Sequence, residues 1–126
     1  MATGLENLWV YKLAEELEIE VHQLTKRFPR DELYRSVDQI RRSSSSVANN
    51  IAESYHKTTE KEKIRFIDIA KGETEETKRN LAKSVRKGLI DAATTFPIID
   101  RYIILLKGLT AYSKFLAFNK PKPRTK

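Results

Sequence analysis

The chain has no cysteine, which excludes disulfides, thiolate metal sites and a cysteine nucleophile, and points to a reducing, cytoplasmic compartment. Histidine is nearly as scarce. His22 and His56 lie on different segments, so the paired Glu-x-x-His of a di-metal bundle is missing and no metal or other cofactor is expected. There is no glycine-rich loop to cradle a phosphate and no serine in a nucleophile elbow. The longest apolar run, Tyr102-Ile103-Ile104-Leu105-Leu106, is far below the roughly 20 residues that span a bilayer. The first residues lack the basic-then-apolar pattern of a signal peptide. Carboxylates do pair, as Glu15-Glu16 and Glu75-Glu76, but neighbours on a helix diverge by about 100° and do not converge on a substrate. The expectation is a non-enzyme with no membrane partner.

What is present is helical periodicity, in a chain of 126 residues with room for one domain. Leu13, Leu17, Val21, Leu24 and Phe28 mark the apolar stripe of a first helix over about 5–27. Phe28-Pro29 ends it, and Asp31 is the expected N-cap of the next. Leu33, Val37, Ile40, Ser44, Val47, Ile51 and Ser54 repeat every four and three residues, the pattern of nearly antiparallel packing. Beside them runs a small polar stripe, Gln39, Ser43, Ser46, Asn50 and Glu53, suited to close approach of a second helix. Thr59 and Glu62 have capping-box spacing, opening a third helix that runs to Lys87, with Gly88 as a left-handed C-cap. Its weaker apolar positions are Ile64, Ile67, Ala70, Thr74, Leu81 and Val85. Gly72 in its middle predicts a close helix contact. A fourth helix begins between Asp91 and Phe96, and Pro97 favours Thr95 as its N-cap.

Matched helices and short turns make this an all-α, antiparallel, up-down-up-down four-helix bundle over residues 1–118. Residues 119–126 are expected to form a basic, disordered tail. The fourth helix is apolar on more than one face, which points to burial against a second chain.

Charge is uneven. Residues 1–56 carry seven Lys or Arg against nine Asp or Glu, whereas residues 57–126 carry seventeen against eight. The excess of positive charge lies in the second half and fits a polyanionic partner. Lys78, Arg79, Lys83, Arg86 and Lys87, joined by Lys107, Lys114 and the tail's Lys120, Lys122 and Arg124, are the candidate phosphate contacts for RNA or DNA. Tyr112, Phe115 and Phe118 offer stacking faces to single strands, although core packing is their ordinary role. An acidic protein is the alternative partner of the basic surface. A third cluster, Ser46, Asn50, Glu53, Arg65 and Glu76, reads as a polar network that fixes register, with a Glu53–Arg65 pair geometrically allowed.

The run Ser46-Val47-Ala48-Asn49-Asn50-Ile51-Ala52-Glu53, followed by Phe66-x-x-Ile69-Ala70-x-Gly72 and Glu76, resembles the bacterial four-helix bundle proteins encoded by intervening sequences in 23S ribosomal RNA genes. Phe28-Pro29-x-x-Glu32, Gln39-Ile40-Arg41-Arg42 and Leu106-x-Gly108-Leu109 fit the same pattern, so the likeness covers roughly residues 7–116. It departs at Ala48, Ser54, Glu73 and Thr74, where that family usually has proline, glycine and a serine-leucine pair. The resemblance implies a left-handed up-down-up-down bundle, a homopentamer and no known enzymatic activity. A related branch, the accessory proteins of diversity-generating retroelements, forms basic pentameric barrels that bind nucleic acid and a reverse transcriptase, which raises the expectation of nucleic-acid binding here.

Overall fold

A computed structural model describes residues 4–118, so the expected tail, with Lys120, Lys122 and Arg124, lies outside the described residues. After a short 3-10 turn, Leu5–Asn7, four α-helices follow: α1 (Trp9–Thr25), α2 (Asp38–His56), α3 (Glu60–Arg86) and α4 (Ala92–Phe118). There is no strand among the described residues. The fold is all-α and a single domain.

Cross-helix contacts give the direction of each neighbour. Arg41 Nε on α2 donates to Thr25 Oγ1 at the end of α1 (2.8 Å), and Ser43 meets Thr77 of α3 at 2.7 Å. Lys63 Nζ at the start of α3 donates to the Tyr55 carbonyl at the end of α2 (3.1 Å). Trp9 at the start of α1 lies against Gly108 late in α4, while Arg27, just past α1, pairs with Asp91 at the α4 entrance (2.7 Å). Every sequential pair, and the closing pair α1–α4, is antiparallel. Between them sits one core, centred on Leu17, Val21, Ile40, Val47, Ile51, Ile67, Leu81, Tyr102, Leu105 and Leu109.

Local chemistry sets the helix ends. Thr59 Oγ1 accepts from Glu62 N (3.1 Å), capping α3 as its spacing predicts, and Gly88 takes φ +76°, where a side chain would be strained. Two expected caps are corrected. Asp31 does not cap α2: it lies in a 3-10 turn (Arg30–Glu32) that passes through a π-helical segment (Leu33–Val37) straight into α2. That winding turns Leu33 outward to 43% exposure, off the buried stripe it was expected to begin. Nor does Thr95 cap α4. Asp91 Oδ2 accepts from Thr94 N (2.9 Å), and Pro97 falls inside the helix. The proline is tolerated because Ala93, whose carbonyl loses that hydrogen bond, is exposed to water near the helix start.

The close contact expected at Gly72 falls at the other mid-helix glycine, Gly108. Gly72 is exposed and a Cβ there would meet nothing within 4 Å, so it marks no close contact. Gly108 is buried, and a Cβ there would collide with the Trp9 ring and come within 3.0 Å of Val10 Cγ1. The close approach is between α1 and α4. Among the described residues the buried hydroxyls of Ser54, Thr95 and Tyr102 have no hydrogen-bond partner, and burial pushes the Tyr102 hydroxyl well above its ordinary pKa.

Candidate nucleic-acid interface

Helix α3 buries Ile67, Ala70, Thr74, Thr77, Leu81 and Ser84. The opposite face must then carry Arg65, Gly72, Arg79, Lys83 and Arg86 at helical spacing, and all five are exposed. From Lys78 to Ile90 the chain holds five cations and no acid. Arg79, Lys83, Arg86 and Lys87 form no ion pair with any described residue. Lys78 differs. It is half-buried and pairs with Glu75 at 3.3 Å, which reduces its availability for phosphate.

Antiparallel packing adds cations that charge counting by halves assigns to the acidic side. The end of the bundle that holds Lys83, Arg86 and Lys87 also holds the α1 exit and the α2 entrance, with Lys26, Arg27, Arg30, Arg35 and, one to two turns in, Arg41 and Arg42. The acids there are mostly engaged. Asp91 pairs with Arg27, and Asp38 with Arg42 at 3.5 Å. The Glu32 carboxyl is held below its ordinary pKa first by a hydrogen bond from Ser36 (2.8 Å), with Arg35 and Lys87 adding positive potential. A shallow depression of about 420 Å³ on the outer face of α2 is lined by Arg41, Arg42, Ser45, Ser46 and Asn49. Two guanidinium groups beside small hydroxyl and amide side chains match the donors that contact phosphate oxygens.

Lys107 and Lys114 are not part of this surface. Because α4 runs antiparallel to α3, Lys107 sits at the level of Lys71 and Glu75, in mid-bundle. Ala117 lies beside Glu60, Lys61 and Ile64, which puts Lys114 near the opposite end. Both are exposed, but a helix length separates Lys114 from Lys83.

The polar cluster on α2 divides. Asn50 Nδ2 donates to Ser46 O (2.8 Å) and Ser46 Oγ (2.9 Å), a bond within one helix turn. Ser46 and Glu76 line one depression together with Arg42, Ser43 and Glu73. Burial raises the Glu73 carboxyl above its ordinary pKa, and the nearby Glu76 charge adds to the shift. The Glu53–Arg65 pair is not formed: Glu53 is exposed and reaches Lys57 (3.4 Å), whereas the Arg65 guanidinium lies 4.6 Å from the Phe66 ring centre. The bond that joins α2 to α3 in the interior is Ser43–Thr77, both buried. Ser43 stood in the polar stripe, but its partner carried no sequence signal because threonine in an apolar face reads as filler.

The extra apolar faces of α4 are real. Phe96, Ile103, Ile104 and Phe115 are exposed, Ile104 at 51%, as are Trp9 and Ile19 of α1. Among the described residues no group of His, Asp or Glu is placed to hold a metal ion, and no helix is long and apolar enough to cross a membrane.

No curated protein matches the chain. Among solved structures, a crystal structure of a protein of unknown function from the S23 ribosomal protein family of Bacteroides thetaiotaomicron superposes with a TM-score of 0.75. The two share 21% identity over 83% of this chain and 98% of that one, a likeness that shows the fold. The 23S rRNA-intervening sequence protein family matches residues 6–111, which includes the Ser46–Glu53 run, the α3 face and Gly108. The chain belongs to the 23S rRNA-intervening sequence protein family.

Proposed function

We propose that this chain is a non-enzymatic, homo-oligomeric, cytoplasmic helical bundle that binds RNA or DNA without reading sequence, through the basic end formed by the exit of α3 and the entrance of α2. The observation that carries the reading is the set Arg79, Lys83, Arg86 and Lys87, exposed and unpaired along one helix, flanked by arginines from a neighbouring helix. Uncompensated cations at this density on a rigid element favour a polyanion, and the binding they support releases counterions and weakens steeply with salt. Lysine and arginine without a reading helix or ribbon contact backbone phosphates and carry no base specificity.

Self-association is supported by Phe96, Ile103 and Ile104, exposed apolar residues that a solitary bundle has no use for. A homopentamer is the assembly that the family resemblance favours. These apolar residues also support the second reading, an adaptor whose basic surface meets an acidic protein.

Binding of the purified protein to labelled single-stranded RNA, double-stranded RNA and duplex DNA across a salt series, with oligomer mass measured on the same samples, tests the proposal. Micromolar or tighter binding by a multimer with a steep salt dependence is expected. Absence of binding at low salt would favour the adaptor, as would a protein ligand that excess RNA fails to displace.

A further inference from the structure

The link between α1 and α2 carries apolar side chains that the core does not use. Phe28 is buried, and after Pro29 come the 3-10 turn Arg30–Glu32 and the π-helical segment Leu33–Val37. A π-helical turn is costly and is found mostly at functional sites. Here only Val37 of the segment reaches the core, while Leu33 is 43% exposed and Tyr34 87%. The Tyr34 side chain makes no hydrogen bond or ring contact with another described residue. Its surroundings are cationic. Arg30 and Arg35 flank it, both exposed and neither in an ion pair with a described residue. Lys87, at the α3 exit, is near enough to add positive potential at Glu32, so the row of unpaired α3 cations ends beside this segment. The acids of the turn are Asp31 and Glu32, and Glu32 accepts a hydrogen bond from Ser36 (2.8 Å). Over residues 26–35 four cations face these two acids.

We infer that Tyr34 is a stacking residue for an unpaired base, set within the basic end so that Arg30, Arg35 and Lys87 hold the phosphates on either side of that base. The inference rests on the nucleic-acid reading above and adds the form of ligand that the basic end takes. Cations alone hold any phosphate backbone, duplex or single-stranded. An open ring among them adds a choice, because every base has a π-face and stacking on an aromatic side chain is tolerant of sequence. In a duplex those faces are already stacked on one another, so a duplex gains the charge contacts and nothing from Tyr34. The charge around the ring selects a polyanion as its occupant. A second copy of the chain meeting this end face to face would set like charges against each other. The exposed aliphatic residues Ile103 and Ile104 of α4 are free of that conflict and suit burial against another chain.

Full-length protein is titrated into end-labelled oligo(dT) of about 12 nucleotides, within the site size of single-strand binding folds, and separately into duplex DNA of the same length, with binding read by fluorescence anisotropy. Tyr34→Leu, which keeps an apolar side chain but loses the ring, weakens oligo(dT) binding about tenfold. Its salt slope stays that of the unmodified chain, since no phosphate contact is lost. Tyr34→Phe, which keeps the ring, binds oligo(dT) as the unmodified chain does. Duplex affinity, oligomer mass and thermal unfolding are the same in both variants, as expected of a side chain that packs against no core residue. Unaltered oligo(dT) affinity in Tyr34→Leu overturns the stacking role while leaving the basic end in place, and so does an equal loss for duplex and single strand. A loss in Tyr34→Phe as large as in Tyr34→Leu also overturns it and assigns the contact to the hydroxyl. Reduced oligomer mass in Tyr34→Leu overturns it and gives the residue to a second copy. No binding of either ligand by the unmodified chain at low salt overturns the nucleic-acid reading itself, and this inference with it.

Discussion

The two ends of this bundle are made by the same helices and differ in the charge they present. At one end, where α1 and α3 finish and α2 and α4 begin, cations predominate and the few acids are mostly held by Arg27, Ser36 and Arg42. At the other, charge is mixed: Lys57 pairs with Glu53 at 3.4 Å, and Glu60 and Glu62 sit beside Lys61 and Lys63. Exposed aromatic rings occur at both ends, Tyr34 and Phe96 at the first and Trp9, Phe115 and Phe118 at the second. An antiparallel bundle places the end of one helix beside the start of the next, so a surface can be assembled from segments that are distant in sequence. Arg41 and Arg42, in the acidic half of the chain, thereby join the same end as Lys83 and Arg86.

Charge reversal at the two ends sharpens this contrast most. Lys83, Arg86 and Lys87 changed together to glutamate should lower nucleic-acid affinity by about 100-fold or more at low salt and flatten its salt dependence, since each lost phosphate contact removes about one unit of slope. The helical signal should be unchanged. The same reversal at Lys57, Lys61 and Arg65 should alter duplex affinity only a few-fold, and equal losses at both ends would erase the distinction.

The two mid-helix glycines lie at one level of the bundle and differ in what surrounds them. Gly108→Leu forces a side chain into Trp9 and Val10 and should cost about 1–3 kcal/mol, read by thermal unfolding together with a shift in Trp9 emission. Gly72→Ala enters open space on an exposed helix face and should stabilise by roughly 0.5–1 kcal/mol, because alanine loses less conformational freedom in a helix. Two losses of stability would contradict the assignment of the close approach to α1 and α4.

A smaller effect concerns Ser43→Ala. It leaves the buried Thr77 hydroxyl with only its bond to the Glu73 carbonyl (2.9 Å) and should cost about 1 kcal/mol. The slightest is a pH effect at the basic end. The Asp91 carboxyl lies below its ordinary pKa because Thr94 hydrogen-bonds to it. Its folded-state pKa is therefore the lower one, and its contribution is fully present above the unfolded value and fades as pH falls through the folded value. Asp91→Asn, a neutral residue that still caps, should flatten the acid side of the stability profile slightly.

Most of the fold was legible because it rests on periodicity. The stripe from Val37 to Ser54 is buried at every position, and Thr59 and Gly88 act as their types predict. Where two local signals competed, the weaker prior won. Pro97 outweighed Asp91 as a marker of the α4 start, yet a carboxylate that accepts a backbone N–H caps well and a proline six residues in is tolerated near an exposed carbonyl. Glycine carries no label for the side from which it is approached, so Gly72 and Gly108 were indistinguishable without the third dimension. The candidate site was half legible: the α3 cations follow from spacing, but the arginines beside them depend on helix direction, and Lys107 and Lys114 drew attention through charge alone.

Which lysines a bound duplex covers decides whether the basic end is where nucleic acid binds. Acetylation rates of individual lysines, read by mass spectrometry with and without saturating duplex DNA, measure this without any mutation. Lys83 and Lys87 should be protected severalfold while Lys57 and Lys61 react as in the free protein. Protection of Lys57 and Lys61 with Lys83 and Lys87 unaffected would contradict a basic end that binds nucleic acid.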